Sequence, residues 1–341
     1  MNFDLLAGQR LMVGFEGTEL NSELKALISD LKVGGIILFA LNIKSAAQVK
    51  SLCVSAQEYA KSLNLPPLFI AVDQEGGEVA RLKKPDFTEF SGAPHIKDIV
   101  DAEKFAIITA NELKAVHINM DMAPVMDMMP EAKQVTEQFK SIMSNRVFPG
   151  SPENVGKLGS HVIDTLQQQR IMAVAKHFPG IGRTTKDSHL ELPLLDTDKN
   201  LMERSDFIPF RAAIKANVAG IMLSHILYSK MDKEWPASLS YNIAKRLLRD
   251  EMGYNGIVMT DDLDMKAIRC DIRTSIRQIL KAEVDIALIC HKGPDIETAF
   301  QEIKNLILTD ERLYRKGIES SQRIESLKKT YLKKTYLELV E

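Results

Sequence analysis

Eight short, almost continuously apolar runs recur along the chain, separated by helix-patterned sequence, and this alternation limits the fold more than any other feature. The runs cover 11–15, 35–39, 68–72, 118–123, 172–175, 220–223, 256–259 and 284–289. A strand covered on both faces loses the apolar/polar alternation of a half-exposed strand, so such runs read as parallel strands. The segment 21–31 sets Leu24, Leu27, Ile28 and Leu31 at helical spacing, and helices are also expected over 45–63, 102–116, 152–168, 205–216, 243–252 and 274–282. Eight strand–helix units predict an α/β fold, a (β/α)8 TIM-type barrel. A doubly wound open sheet is the rival, but no G-x-G-x-x-G follows an early strand. Neither a linker nor a low-complexity segment interrupts the pattern, so 1–341 is expected to be a single domain with a C-terminal helical extension from about 311. Within that extension Lys-Lys-Thr-Tyr-Leu occurs at 328–332 and again at 333–337. It is expected on a final helix outside the barrel, with Lys328, Lys329, Lys333 and Lys334 on a solvated face.

Charge and cysteine usage narrow the function classes. The 341 residues carry 44 Lys and Arg against 46 Asp and Glu, a formal net charge of -2. A dedicated nucleic-acid binder usually shows a basic stripe, so no nucleic-acid partner is expected. The three cysteines, Cys53, Cys270 and Cys290, are odd in number and match no zinc spacing, as thiols in a reducing compartment do. The first eight residues lack the basic start and apolar core of a signal peptide, and no apolar run nears the roughly 20 residues of a membrane helix. The expectation is a cytoplasmic protein with no membrane partner, a monomer or weak homo-oligomer.

Chemistry gathers where the apolar runs end. Asp73, Asp127, His177, His225, Asp261 and His291 each stand at or just past a run, which in a barrel is the C-terminal face where active sites sit. Lys176 to His189 packs two His, one Asp, two Lys and one Arg into what reads as one loop. Lys176 and His177 are adjacent, so extended backbone would send them to opposite faces. Asp187 and His189 bracket Ser188, and a carboxylate beside an imidazole fixes its tautomer and suits a general acid/base. Nothing in that loop offers H-x-x-x-H or a Cys partner, so neither a metal nor a cofactor is expected there. Asp264 does leave Mg²⁺ chemically open near Asp261 and Asp262. Of those two, one should face the mouth and the other be tied into the fold, and spacing alone does not choose. Asp73-Gln74-Glu75-Gly76-Gly77, with Arg81 beyond it, reads either as a plain turn or as a binding segment in which Asp73 accepts sugar hydroxyls. His225 and His291 read as structural or supporting groups. The Met residues at 120, 122, 126, 128 and 129 read as core.

Six segments in this order resemble glycoside hydrolase family 3, and within it the single-domain bacterial β-N-acetylhexosaminidases of cell-wall recycling. They are DQEGG at 73–77 with Arg81, NRVF at 145–148, KHFPG at 176–180, DSH at 187–189, MLSHI at 222–226 and LLRDEMGYNGIVMTDD at 247–262. The resemblance implies a retaining double displacement in which Asp261 is the nucleophile, His189 the acid/base and Asp187 its partner. It implies that Asp73, Arg81, Arg146, Lys176 and His177 bind the sugar. An imidazole then replaces the usual carboxylic acid. That substitution lessens repulsion of anionic muropeptide substrates and would also admit phosphate as an acceptor. The implied activity is exo-β-N-acetylglucosaminidase. A β-glucosidase or β-xylosidase of the same family and a catalytically weakened sugar-binding barrel are the alternatives. Ile181, Arg183, Glu78 and Asp264 stand where the family usually has His, Asp, Arg and Ser.

Overall fold

The computed structural model describes residues 2–130, 141, 143–188 and 190–338, with 333–338 described by backbone alone. Eight parallel strands close into a barrel in chain order: β1 Leu11–Val13, β2 Gly35–Leu38, β3 Phe69–Val72, β4 Met120–Asp121, β5 Met172–Phe178, β6 Gly220–Leu223, β7 Ile257–Asp262 and β8 Ile286–Ile289. One strand falls in, or starts within, each apolar run, as the alternation predicts. Two strands differ in length. β5 runs on through Lys176 and His177, and β7 runs on through Asp261 and Asp262, so these four polar residues belong to strands rather than to loops. Apolar character ends before pairing does, because the last residues still bond to neighbouring strands across register shifts at 175–178 and 259–262.

Helices follow each strand and start where a side chain caps the free N–H groups. Asn21, Ser45, Asp98, Ser151 and Asp271 each accept a backbone N–H of the first turn. The Asp98 cap moves one boundary, since its helix is Ile99–Ala115 rather than one from 102. The segment after β6, Asn242–Glu251, is a π-helix.

Side chains then sort into two layers. Met12, Phe69, Met120, Met122, Met172, Met222 and Met259 fill the barrel interior. Their outward neighbours, among them Val13, Ile36, Ile70 and Val258, pack beneath the helices. Met126 and Met128 join the outer layer, so the methionines are core as expected.

A correction concerns the last helix, Glu311–Glu338. Instead of lying outside the barrel it closes the floor, with Ile324 and Leu332 in the same cluster as the barrel-filling methionines. Lys328 is buried rather than solvated, and its Nζ donates to Gln9 Oε1 at 2.7 Å and to the Gly34 carbonyl at 2.8 Å. It stands 4.7 Å from the centre of the Phe69 ring, and burial pushes its amine down to about 7. Arg323 pins the same helix to Asp285, which also takes Arg249 at 2.6 Å and the Val258 N–H at 2.9 Å. Lys329 stays solvated beside Glu325, while the side chains of Lys333 and Lys334 lie outside the described residues. With one mouth plugged, chemistry is left to the other.

Candidate active site

The open mouth is built first by β3 and the hairpin behind it, Gln74–Gly76 with Val79–Ala80. Gly76 and Gly77 have φ of 83° and 63°, which permits the tight return. The Gln74 side chain locks the return by accepting the Arg81 and Leu82 N–H groups, each at 3.0 Å, and by donating to the Leu82 carbonyl at 2.9 Å. Arg81 is thereby brought back onto Asp73, with Nη2 3.1 Å from Oδ2. From β5, Lys176 Nζ meets both Asp73 Oδ1 and Glu75 Oε1 at 2.7 Å. Arg146 grips Glu75 with two bonds of 2.7 and 3.0 Å. Asp73, Glu75, Lys176, Arg81 and Arg146 therefore form one network built on the 73–77 turn.

His177 faces a different partner. Its Nδ1 lies 2.7 Å from Asp127 Oδ2, and its own backbone N–H points at the same carboxylate. The register shift between Ala175 and Phe178 breaks the two-residue alternation, so Lys176 and His177 both reach groups of the mouth. Asp261 lies on β7, with Oδ1 accepting the Asp262 N–H at 2.9 Å. Asp262 is tied into the fold, since Oδ1 accepts the Asp264 and Cys290 N–H groups at 3.1 Å and its carbonyl meets His225 Nε2 at 2.8 Å. The other nitrogen of His225 is 2.7 Å from Ser238 Oγ, which makes His225 a supporting group of β7.

Charge follows from these contacts. Burial alone would raise Asp73, but Lys176 and Arg81 hold it down at about 2. Burial alone would also raise Asp261, yet His225, His177 and the Asp262 N–H keep it below the ordinary carboxylate value, so it is ionised at neutral pH. Asp262 moves upward through burial and through the neighbouring Asp264. Among the described residues Asp261 makes no direct cation contact, and it stands ionised beside paired carboxylates at Asp73 and Glu75. Such a group can act as a nucleophile toward an electrophilic carbon.

The loop after β5 carries the remaining assignments. Asp187 lies in it, with its carbonyl accepting the Leu190 and Glu191 N–H groups. His189 lies outside the described residues. Each unusual residue has a place. Ile181 is buried and donates its N–H to Asp127 Oδ1 at 2.8 Å, Arg183 pairs with Asp206 at 2.9 Å, and Glu78 accepts from Asn145 at 2.7 Å. Asp264 accepts the His291 N–H at 2.7 Å. Asp262, Asp264 and His291 could bring ligand atoms within 4.8 Å of one another. In this structure Asp262 Oδ1 and Asp264 Oδ2 accept the Cys290 and His291 N–H groups, which ties the end of β7 to the segment after β8.

Sequence reasoning missed four residues. Glu75 and Gln74 were noted within the 73–77 segment without a role of their own. Asp127 was noted at a strand end without a role. Asp121 lay unnoticed inside an apolar run, although a lone charge among buried residues is itself a signal. Asp121 is fully buried, its Oδ1 accepts the Gln74 N–H at 3.0 Å, and burial raises it to about 7.

Comparison with known proteins identifies the family. Residues 4–326 match the family described as glycosyl hydrolase family 3 N terminal domain. The chain is 34% identical over 296 residues to a beta-hexosaminidase of Nitrosomonas eutropha, an alignment covering 84% of this chain and 81% of that protein. It is 36% identical over 294 residues to beta-hexosaminidase A of Pseudoalteromonas piscicida, covering 80% of this chain but 48% of that one. The structure resembles a glycoside hydrolase family 3 beta-N-acetylglucosaminidase from Paenibacillus sp. with a TM-score of 0.88 and 32% identity. That match covers 97% of this chain and 63% of the other, so this chain spans about half to two thirds of the length of some relatives.

Proposed function

Because the chain belongs to glycoside hydrolase family 3 and is a glycoside hydrolase, we propose that it is a retaining exo-β-N-acetylglucosaminidase. It removes terminal β-linked GlcNAc, with peptidoglycan fragments as natural substrates. The observation that carries this reading is Asp261, ionised at the barrel mouth under His177 and His225 and opposite the Asp73–Lys176–Arg81 cluster. The names of the relatives support the choice of sugar.

In the first step Asp261 attacks the anomeric carbon while His189 protonates the departing glycosidic oxygen, which breaks the C–O bond and leaves a glycosyl ester on Asp261. In the second step His189 takes a proton from water, the water oxygen attacks the same carbon, and the ester bond breaks with net retention. Asp187 orients His189. Asp73, Arg81, Lys176, Arg146 and His177 hold the sugar, with Asp73 offering carboxylate oxygens to two hydroxyls. The supporting evidence for a cytoplasmic location is the three free thiols, which suit a reducing compartment. None of the helices among the described residues is long and apolar enough to cross a membrane.

A panel of chromogenic β-glycosides of GlcNAc, glucose and xylose, with and without phosphate, tests the proposal. Turnover of the GlcNAc glycoside well above the other two is expected, with the β-anomer released first. Preference for glucose or xylose would favour the alternative family activity, and no turnover of any would favour a sugar-binding barrel. Release of GlcNAc-1-phosphate would assign phosphate, not water, as the acceptor.

A further inference from the structure

The loop that leaves β5 is pinned at its base from three sides. Gly180 has φ of 124°, where side chains are strained, and a Cβ there would stand 3.0 Å from Asp206 Cβ. Its carbonyl accepts the Tyr228 hydroxyl at 2.9 Å. Ile181 donates to Asp127 Oδ1, the carboxylate that also holds His177. Gly182 runs so close to the segment after β4 that an added Cβ would fall 1.8 Å from the Met128 carbonyl oxygen. Arg183 then turns inward, with Nε 2.9 Å from Asp206 Oδ2 and Nη2 2.9 Å from Ser205 Oγ. Ser205 in turn donates to Asp206 Oδ2 at 2.6 Å, closing a three-residue ring of bonds.

Asp206 is fully buried, directly before the helix Phe207–Lys215 that packs against the barrel. A rigid element therefore holds one end of the loop. Downstream, Ser188 is tied through its carbonyl to the Ala267 N–H at 3.1 Å, on the far side of the mouth near β7. Between these two ties lie only Thr184 to Asp187. A loop this short, fixed at both ends, has few ways to deliver a side chain, and a small shift at its base displaces the groups it carries.

We propose that Arg183 is a positioning residue of the hydrolytic reaction. With Asp206 and Ser205 it staples the base of the loop and so holds the segment that carries Asp187, the assigned partner of the acid/base, at the mouth. This inference rests on the assignment of His189 as acid/base in the preceding section. Arg183 touches no substrate. On kcat/KM, which reports the first step, its effect falls on protonation of the leaving group, while proton removal from water in the second step enters kcat. Loosening the staple should therefore spare substrates whose leaving group departs unaided.

The test compares Arg183→Met, Arg183→Lys and His189→Ala on two β-GlcNAc glycosides, one with an activated nitrophenol and one with a poor alkyl leaving group. Arg183→Met should lower kcat/KM on the poor leaving group by about 10²-fold, the scale expected for roughly 1 Å of misplacement. It should lower kcat/KM on the activated substrate only a few-fold. Arg183→Lys keeps the charge and should recover part of the loss. Should Arg183→Met fail to fold, Ser205→Ala removes two bonds of the same ring and should show the same selectivity at smaller size. Equal losses on both substrates, or none, would overturn the staple. His189→Ala separates this failure from that of the reading beneath it. Selectivity in His189→Ala without selectivity in Arg183→Met sinks the staple alone, whereas no selectivity in His189→Ala removes the acid/base assignment itself.

Discussion

His177 Nδ1 stands 2.7 Å from Asp127 Oδ2, and that contact decides which face of the ring the site can use. A carboxylate accepts, so Nδ1 carries the proton and Nε2 is left for the mouth. Asp127 also receives the His177 and Ile181 N–H groups. One carboxylate thus sets the imidazole proposed to face the sugar and the start of the loop bearing Asp187.

Asp127→Asn should therefore cost more activity than its near-identical shape suggests. An amide cannot accept from all three donors at once, and the ring loses its fixed orientation. We expect kcat/KM on the GlcNAc glycoside to fall by about 10²-fold, with a loss of stability of about 1–3 kcal/mol from the unpaired N–H groups. Steady-state kinetics and thermal melts check this, and wild-type kcat/KM in the variant would remove Asp127 from the account.

Stability should respond to pH in two opposite ways near the mouth. Asp73 is held down at about 2 from an ordinary 3.8, so its contribution is present above pH 4 and is lost as pH falls toward 2. Asp121 is raised to about 7 from the same 3.8, so the folded state takes up a proton, and stability declines as pH rises from about 4 to 7. Asp121→Asn removes that second dependence while keeping the acceptor for Gln74. Its melting temperature should exceed that of the wild type at pH 8, and the gap should shrink toward pH 4. A gap that grows as pH falls would show that Asp121 is ionised in the folded protein.

The floor of the barrel is equally testable. Ile324 of the terminal helix is 2% exposed and shares a cluster with the methionines of the interior. Ile324→Ala should cost about 2–5 kcal/mol, the usual range for emptying a buried aliphatic site, with little change in kcat per folded molecule. Denaturant unfolding measures the cost. A change under half a kcal/mol would mean that the helix does not seal the barrel.

Much of the fold was legible because buried parallel strands announce themselves as apolar runs, and all eight did. The terminal helix was misread for a physical reason. Lys328 is polar in sequence but spends its amine on Gln9, on Gly34 and on the face of the Phe69 ring, so a charge that predicts solvent instead marks a plug. In the site, strand ends pointed to Asp73, His177 and Asp261. Glu75 and Asp127 acquire meaning only through Arg146 and His177, which lie 71 and 50 residues away along the chain, and no local pattern encodes such pairs. The choice between Asp261 and Asp262 was likewise invisible to spacing. It depends on the bonds that tie Asp262 to Cys290 and Asp264.

The central claim is that Asp261 forms a bond to the sugar. Incubation with a slow-release 5-fluoro GlcNAc donor, followed by proteolysis and mass spectrometry of the β7 peptide, tests it most directly. The account predicts an added glycosyl mass on Asp261 in the wild type, and its disappearance in Asp261→Asn while Asp262→Asn retains the label. A label on Asp262 or on any other residue would contradict it.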